Sequence, residues 1–260
     1  MSNLVTQLTQ LAKITGAPEA DLTIVAEGNI AVLEPGTNRF LVKASGVVMG
    51  NATEDDWVYL NLDRCAQILI DADKKGVTDK LDKAFDAILK ESVTPNGKVR
   101  KASIETMVHV VAFHLMGATW SLHTHPTPVV ALAASKDGAK HYKATVFPDE
   151  AVVCGPVPLF LPYADPGLAL GLGVYQGVIK YQKKHERSPG QIILGNHGLC
   201  TFGSASSEAL STTQIAVKAA RVRLGALSAG GIKFVGKKQA AAIAYRPDEI
   251  LRRKMLADGK

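Results

Sequence analysis

The 260-residue chain has only three cysteines, Cys65, Cys154 and Cys200, far apart and without a Cys-x-x-Cys spacing. Neither a disulfide framework nor a thiolate metal site is expected, and reduced thiols suit a cytoplasmic protein. Aromatics are scarce at 6% of residues, too few to stack bases. Lys and Arg outnumber Asp and Glu by 30 to 24, but no long basic stripe exists. The excess sits in short clusters such as Lys183-Lys184 and Arg252-Arg253-Lys254. That pattern argues against a nucleic acid partner and fits solvated faces. A mildly basic chain still attracts phosphates and carboxylates. No apolar run reaches the ~20 residues that span a bilayer, so no membrane partner is expected. Met1 to Gly16 reads as a short amphipathic helix with Leu4, Leu8 and Leu11, lacking the basic start and unbroken apolar stretch of a secretion signal. Repeats and low-complexity segments are missing. So are the P-loop and the dinucleotide Gly-x-Gly-x-x-Gly pattern, which leaves a redox role without support.

What is present is an ordinary globular composition, 47% hydrophobic and 21% charged, long enough for one sizeable core. A single domain over residues 1–260 is expected, with its core at about 22–225. Apolar segments alternate in period. Leu22–Val25, Ile30–Leu33, Arg39–Lys43, Thr119–His125 and Gln191–Leu194 read as strands. Asp79–Glu91, Ser103–Met116, a segment from Asp165-Pro166 through Ile179, and Ser206–Leu227 read as helices. Ser103 stands where an N-cap belongs, and Thr94-Pro-Asn-Gly97 signals a turn. Such alternation predicts an α/β class fold, layered around one core.

The sharpest motif is His123-Thr124-His125. Residues two apart on a strand share a face, so two imidazoles can grip one metal ion. Trp120 and Leu122 then point the other way, into the core, and Pro126 ends the strand at a rim. Taken alone, such a pair is also compatible with surface or packed histidines. His197, between Gly195-Asn196 and Gly198, adds a third imidazole after another strand, a set that suits zinc and leaves a position open. Glu105 begins the helix before the His-x-His strand, where the dipole favours an anion. By local sequence it is either a surface residue complementing that dipole or a fourth ligand. His109, four residues on, has a supporting or packing role. Two turns, Gly28-Asn29 and Ser45-Gly46 beside Lys43, have the makings of a phosphate nest.

The order of these motifs is more specific than any one. Gly28-Asn29, Lys43-Ala-Ser-Gly46, Ser103-Ile-Glu105, His123-Thr-His125-Pro and Gly195-Asn-His197-Gly together resemble the class II aldolase/adducin family, from about Leu22 to Gly225. The resemblance implies a three-layer α/β/α fold with a central, mainly antiparallel sheet, and a homotetramer with sites between subunits. It implies that His123, His125, His197 and Glu105 bind Zn2+, or alternatively Mn2+, Co2+ or Fe2+, with Glu105 also the catalytic acid/base. Gly28, Asn29, Ser45, Gly46 and Ser103 match positions that hold a substrate phosphate, and Lys43 resembles a lysine of the epimerase version of that loop. A tyrosine assists at the aldehyde end in the family; Tyr142 is the candidate here, with an ordinary amphipathic tyrosine as the alternative. Two departures each remove a hydroxyl donor: Ile104 stands where a serine is common, and Ala31 where serine or threonine is. The function implied is aldol cleavage of a ketose or deoxyketose phosphate to dihydroxyacetone phosphate and an aldehyde. Epimerase, dehydratase and decarboxylase chemistry are the family alternatives. Epimerases usually carry aspartate at the acidic position, so Glu105 favours an aldolase. An adducin-like scaffold is the non-enzyme alternative, though that branch lacks the metal histidines.

Overall fold

The computed structural model describes residues 3–257. In chain order, α1 (Asn3–Thr15) precedes the strands β1 (Asn29–Leu33), β2 (Arg39–Lys43) and β3 (Trp57–Asn61). The helices α2 (Leu62–Lys75), α3 (Asp79–Lys90) and α4 (Thr106–Met116) follow. Then come β4 (Trp120–Thr124), α5 (Thr127–Ala133), α6 (Gly138–His141), α7 (Pro148–Cys154), β5 (Leu159–Leu161) and α8 (Leu168–His185). The chain continues through β6 (Gln191–Leu194), β7 (Gly198–Gly203), α9 (Ser206–Ser228), α10 (Lys237–Ala244) and α11 (Pro247–Ala257).

Seven strands form one sheet in the order β3-β2-β1-β4-β7-β6-β5. Every neighbouring pair is antiparallel except β5 with β6. The sheet is therefore mixed but mainly antiparallel, with helices on both sides. Alternation along the strands divides the apolar residues. Ile192 and Cys200, paired in register, join the larger core cluster, whereas the next pair, Ile193 and Leu199, joins a smaller one with Val129 and Val217. Helix α4 packs against β4, α2 and α8. It is buried continuously from Thr106 to Phe113, as a helix that is apolar around its whole circumference must be. No helix of the described residues is long and apolar enough to cross a membrane.

The thiols are all buried. Burial pushes the Cys65 thiol up to about 12 and that of Cys154 well above its ordinary value. Unshielded thiolates, which disulfide exchange requires, are thus disfavoured at both.

Several boundaries differ from the sequence reading. Leu22–Val25 is not a strand: it is irregular, ending in a turn at Val25-Ala26, with Ile24 62% and Val25 72% exposed. Of its apolar residues only Leu22 is buried, in the smaller core cluster. Ser103 is not the N-cap of α4; Glu105 is, and the Ser103 hydroxyl instead accepts the Glu105 N–H at 3.3 Å. Asp165-Pro166 precedes α8 rather than starting it, since Gly167 is the cap. The first helix is bounded at Asn3, and the Met1 and Ser2 of its predicted span lie outside the described residues.

Candidate metal centre

Strand β4 is central, flanked by β1 and β7. Its register sets Asn29 opposite His123 on one side and Cys200 opposite His123 on the other. Trp120 and Leu122, on the alternate face, are buried in the larger cluster. His125 lies one residue past the strand end and is only partly buried. The tight turn from β6 to β7 brings in His197 beside it. Glu105 arrives from the N-terminus of α4.

These four side chains converge. Each of Glu105, His123, His125 and His197 offers a ligand atom, all within 4.8 Å of one another. His123 Nε2 lies 2.9 Å from His125 Nε2 and 3.3 Å from a Glu105 oxygen. His197 Nε2 lies 2.8 Å from the other Glu105 oxygen. The three rings meet edge to face, with centroids 4.7, 5.0 and 4.9 Å apart. Two ligand nitrogens at tetrahedral angles around one zinc would stand roughly 3.4 Å apart, so the residues present fit a cation with little movement.

The chemistry of the donor set points the same way. His123 Nδ1 donates to the Leu199 carbonyl at 3.1 Å, and His125 Nδ1 to Glu27 Oε2 at 3.1 Å. With those nitrogens occupied as donors, each ring turns its Nε2 lone pair inward. Two lone pairs facing each other at 2.9 Å repel unless a positive charge sits between them. Burial alone would lower His123, but the Glu105 carboxylate outweighs it and raises the ring well above its usual range. Burial, reinforced by electrostatic coupling to the neighbouring His123 and His197, pushes His125 down to about 3. Glu105 sits below the ordinary carboxylate range: burial would raise it, but the charge of His123 and hydrogen bonds from His123 and His197 prevail. The pocket favours a cation at its centre, whether proton or metal.

A buried relay holds Glu105 in place. The Asn29 amide donates to Glu105 Oε2 at 3.0 Å and to the Ser103 hydroxyl at 3.1 Å. The Asn29 carbonyl oxygen accepts from His109 Nε2, whose other ring nitrogen meets Ser121 Oγ at 2.7 Å. Burial drives His109 down to about 3, so this ring is neutral and its single N–H fixes which way the amide faces. His109 is thus outside the cluster, orienting a residue inside it.

The remaining sequence-predicted residues are placed less simply. Gly28, at φ +66, could not carry a side chain: a Cβ would lie 2.8 Å from the His123 carbonyl oxygen. Ser103 accepts two N–H bonds, which leaves its own O–H to donate. Ser45 and Gly46 are exposed after β2, but the Ser45 and Ser103 N–H groups are spent on the Lys101 and Lys43 carbonyls. The Lys43 ammonium is buried and donates to Ala26 O at 2.9 Å and Val47 O at 2.6 Å. Burial brings it down to about 8, against the pull of Glu105. The phosphate nest read from sequence is therefore narrower, since several of its donors hold the loops together. Tyr142 lies in the smaller core cluster, outside the four-residue group. It is buried against Phe160 and Arg223 in the smaller cluster, its hydroxyl donating to the Val129 carbonyl at 3.4 Å, and burial raises its phenol far above the usual range. In that position the ring packs in the core. The sequence reading also passed over Glu27, although an acidic residue directly before Gly28-Asn29 was the available signal.

Gly198 is where the two histidine-bearing segments come closest. A Cβ there would lie 2.5 Å from the Thr124 carbonyl oxygen, 2.9 Å from His125 Cδ2 and 3.4 Å from His123 Cε1. Gly198→Ala must therefore open the β4–β7 pair beside both rings. The expected cost is about 1–3 kcal/mol of stability, read by urea unfolding, together with weaker metal binding. A variant as stable as the parent would show that the strands part freely.

The family model described as "Class II Aldolase and Adducin N-terminal domain" matches residues 9–224. No curated protein matches the chain. Solved structures of the same fold include the N-terminal class II aldolase domain of a conserved protein from Thermoplasma acidophilum. It is 20% identical, with TM-score 0.64, over 86% of this chain and 95% of that one. The L-fuculose 1-phosphate aldolase from Glaciozyma antarctica is 17% identical, with TM-score 0.65, over 98% of this chain and 87% of that one. The L-fuculose-1-phosphate aldolase from Thermus thermophilus is 19% identical, with TM-score 0.58, over 89% and 98%.

Proposed function

Because the chain belongs to the class II aldolase and adducin family, we propose that it is a zinc-dependent aldolase acting on a ketose or deoxyketose phosphate. One observation carries the reading: an imidazole nitrogen from each of three histidines and a carboxylate oxygen lie within 4.8 Å of one another. His123, His125, His197 and Glu105 would hold the cation. When bound, it supplies a Lewis acid that polarises a substrate carbonyl and stabilises negative charge on its oxygen.

The chain's own residues supply the rest. The C4 hydroxyl gives its proton to the Glu105 carboxylate, the C3–C4 bond breaks as the C4 oxygen becomes the aldehyde carbonyl, and the electron pair of the broken bond passes into the ketone fragment. Glu105 delivers a proton to C3 of that fragment in cleavage and removes it in synthesis. Asn29 keeps one Glu105 oxygen in place, so the carboxylate can pivot without leaving. The Ser103 O–H and the exposed Ser45 hydroxyl are the donors we assign to the substrate phosphate, with Gly28 and Gly46 permitting close approach of the backbone. Membership also leads us to propose a homotetramer.

The test is incubation of the zinc-loaded protein with phosphorylated and free ketoses, with products identified by mass. Dihydroxyacetone phosphate plus an aldehyde is the expected result. A C4 epimer, loss of water or loss of carbon dioxide would replace the aldolase reading with one of its family alternatives.

A further inference from the structure

We infer that Glu27 is a positioning residue for the proposed metal centre: it sets the tautomer and angle of His125 through a bracket made by the turn at residues 21–27. The inference rests on the metal reading given above and extends it to a residue outside the four candidate ligands.

The bracket has three ties. Asp21 Oδ1 accepts the Thr127 hydroxyl at 2.6 Å, the Leu22 carbonyl accepts the His125 backbone N–H at 2.8 Å, and Glu27 Oε2 accepts His125 Nδ1 at 3.1 Å. The backbone and ring of His125 are thus both held by one segment nearly a hundred residues earlier in the chain. This matters because His125 has left β4 and lacks the sheet pairing that orients His123. The neighbouring rings of His123 and His197 limit its tilt, but the bond to Glu27 fixes which nitrogen carries the proton.

Glu27 is itself positioned. Its second oxygen, Oε1, accepts the Ile24 N–H at 2.7 Å, and its own N–H donates to the Ile24 carbonyl at 3.3 Å. The turn so closed holds Val25 at φ +56 with its side chain in solvent. A β-branched residue in that region is strained, and persists only where the surroundings over-determine it. Here the surroundings are Glu27 within the turn and Lys43, which binds the adjacent Ala26 carbonyl at 2.9 Å. A carboxylate behind a ligating imidazole fixes its tautomer and raises its basicity as a ligand. With Nδ1–H committed to Glu27, the lone pair of His125 Nε2 can only face the cluster.

The test uses Co2+ alone as probe, titrated into the full-length apo protein in competition with a chromophoric chelator. Glu27→Ala should weaken Co2+ binding by about 10–100-fold. Glu27→Gln should weaken it less, because its single amide oxygen can serve His125 or the Ile24 N–H but not both. If Glu27→Ala fails to fold, Glu27→Gln decides. A purely structural turn would lower the melting temperature and leave Co2+ affinity unchanged, which overturns the inference. Failure of the parent protein itself to bind Co2+ would overturn the metal reading along with it, so the two failures are told apart.

Discussion

Glu105→Gln should lower kcat by about 10²–10⁴-fold in a protein that keeps its fold and its metal. The substitution changes almost nothing in shape. Asn29 Nδ2, now 3.0 Å from Glu105 Oε2, can donate equally well to an amide oxygen. Glu105 is the N-cap of α4 through its backbone, with no side-chain cap bond, so the helix keeps its start. What disappears is a group able to take and return a proton beside carbon. The three histidines remain to hold the cation, so metal content measured on the purified variant should stay stoichiometric at saturating zinc. Steady-state kinetics on the substrate found by product mass gives the readout. Full turnover by this variant would remove Glu105 from the chemistry and leave it a ligand alone.

Arg223→Ala should destabilise the fold by about 3–5 kcal/mol with no direct effect on the metal cluster. Arg223 and Glu150 are both fully buried, joined at 2.8 Å. The guanidinium also donates to the His141 and Ala144 carbonyls at 2.8 Å each. Glu150 in turn accepts the Val146 N–H at 2.8 Å. This pair therefore ties the segment after α6 to α9 and to the start of α7. Removing the cation leaves a carboxylate with no water and no countercharge, and that stranded charge supplies most of the cost. Arg223→Met combined with Glu150→Leu should be far milder, because nothing charged is left inside. Urea unfolding of the single and double variants measures both. Equal losses in the two would assign the effect to packing instead of charge.

The sequence exposed the fold where periodicity was strong. Strands β1, β2, β4 and β6 and helices α3 and α9 lie within a residue of where apolar spacing puts them, while α4 and α8 start three residues later than read and α8 runs six residues further, to His185. It failed where apolar residues serve another purpose. Leu22-Thr-Ile-Val25 has the composition of a strand, yet Ile24 and Val25 point to solvent because Glu27 closes the segment into a turn. Strand β3 and helix α2 went unread. The Asn61 side chain, which accepts the Arg64 N–H at 2.9 Å, is an N-cap signature that was there to be found.

The site was legible to the same degree and for a similar reason. A metal demands specific residue types, so His123, His125 and His197 could be singled out as candidate ligands by composition and spacing, and they do come together. Asn29 was read as a phosphate contact, whereas its amide is committed to Ser103, Glu105 and His109. Lys43 likewise has two hydrogen bonds to carbonyls across loops. Such commitments come from tertiary neighbours and leave no local trace.

The positions that meet at the cluster come from distant stretches of chain, and β4 pairs with β7 across more than seventy intervening residues. An unfolded chain offers a cation only the adjacent His123 and His125, a weak grip. Glu105 comes with the packing of α4 on β4, and His197 joins only after the long-range pairing at the middle of the sheet has closed, a step that loop entropy makes slow. Uptake of metal should therefore be a late event in folding, and the ion a latch on a finished sheet rather than a nucleus for building one.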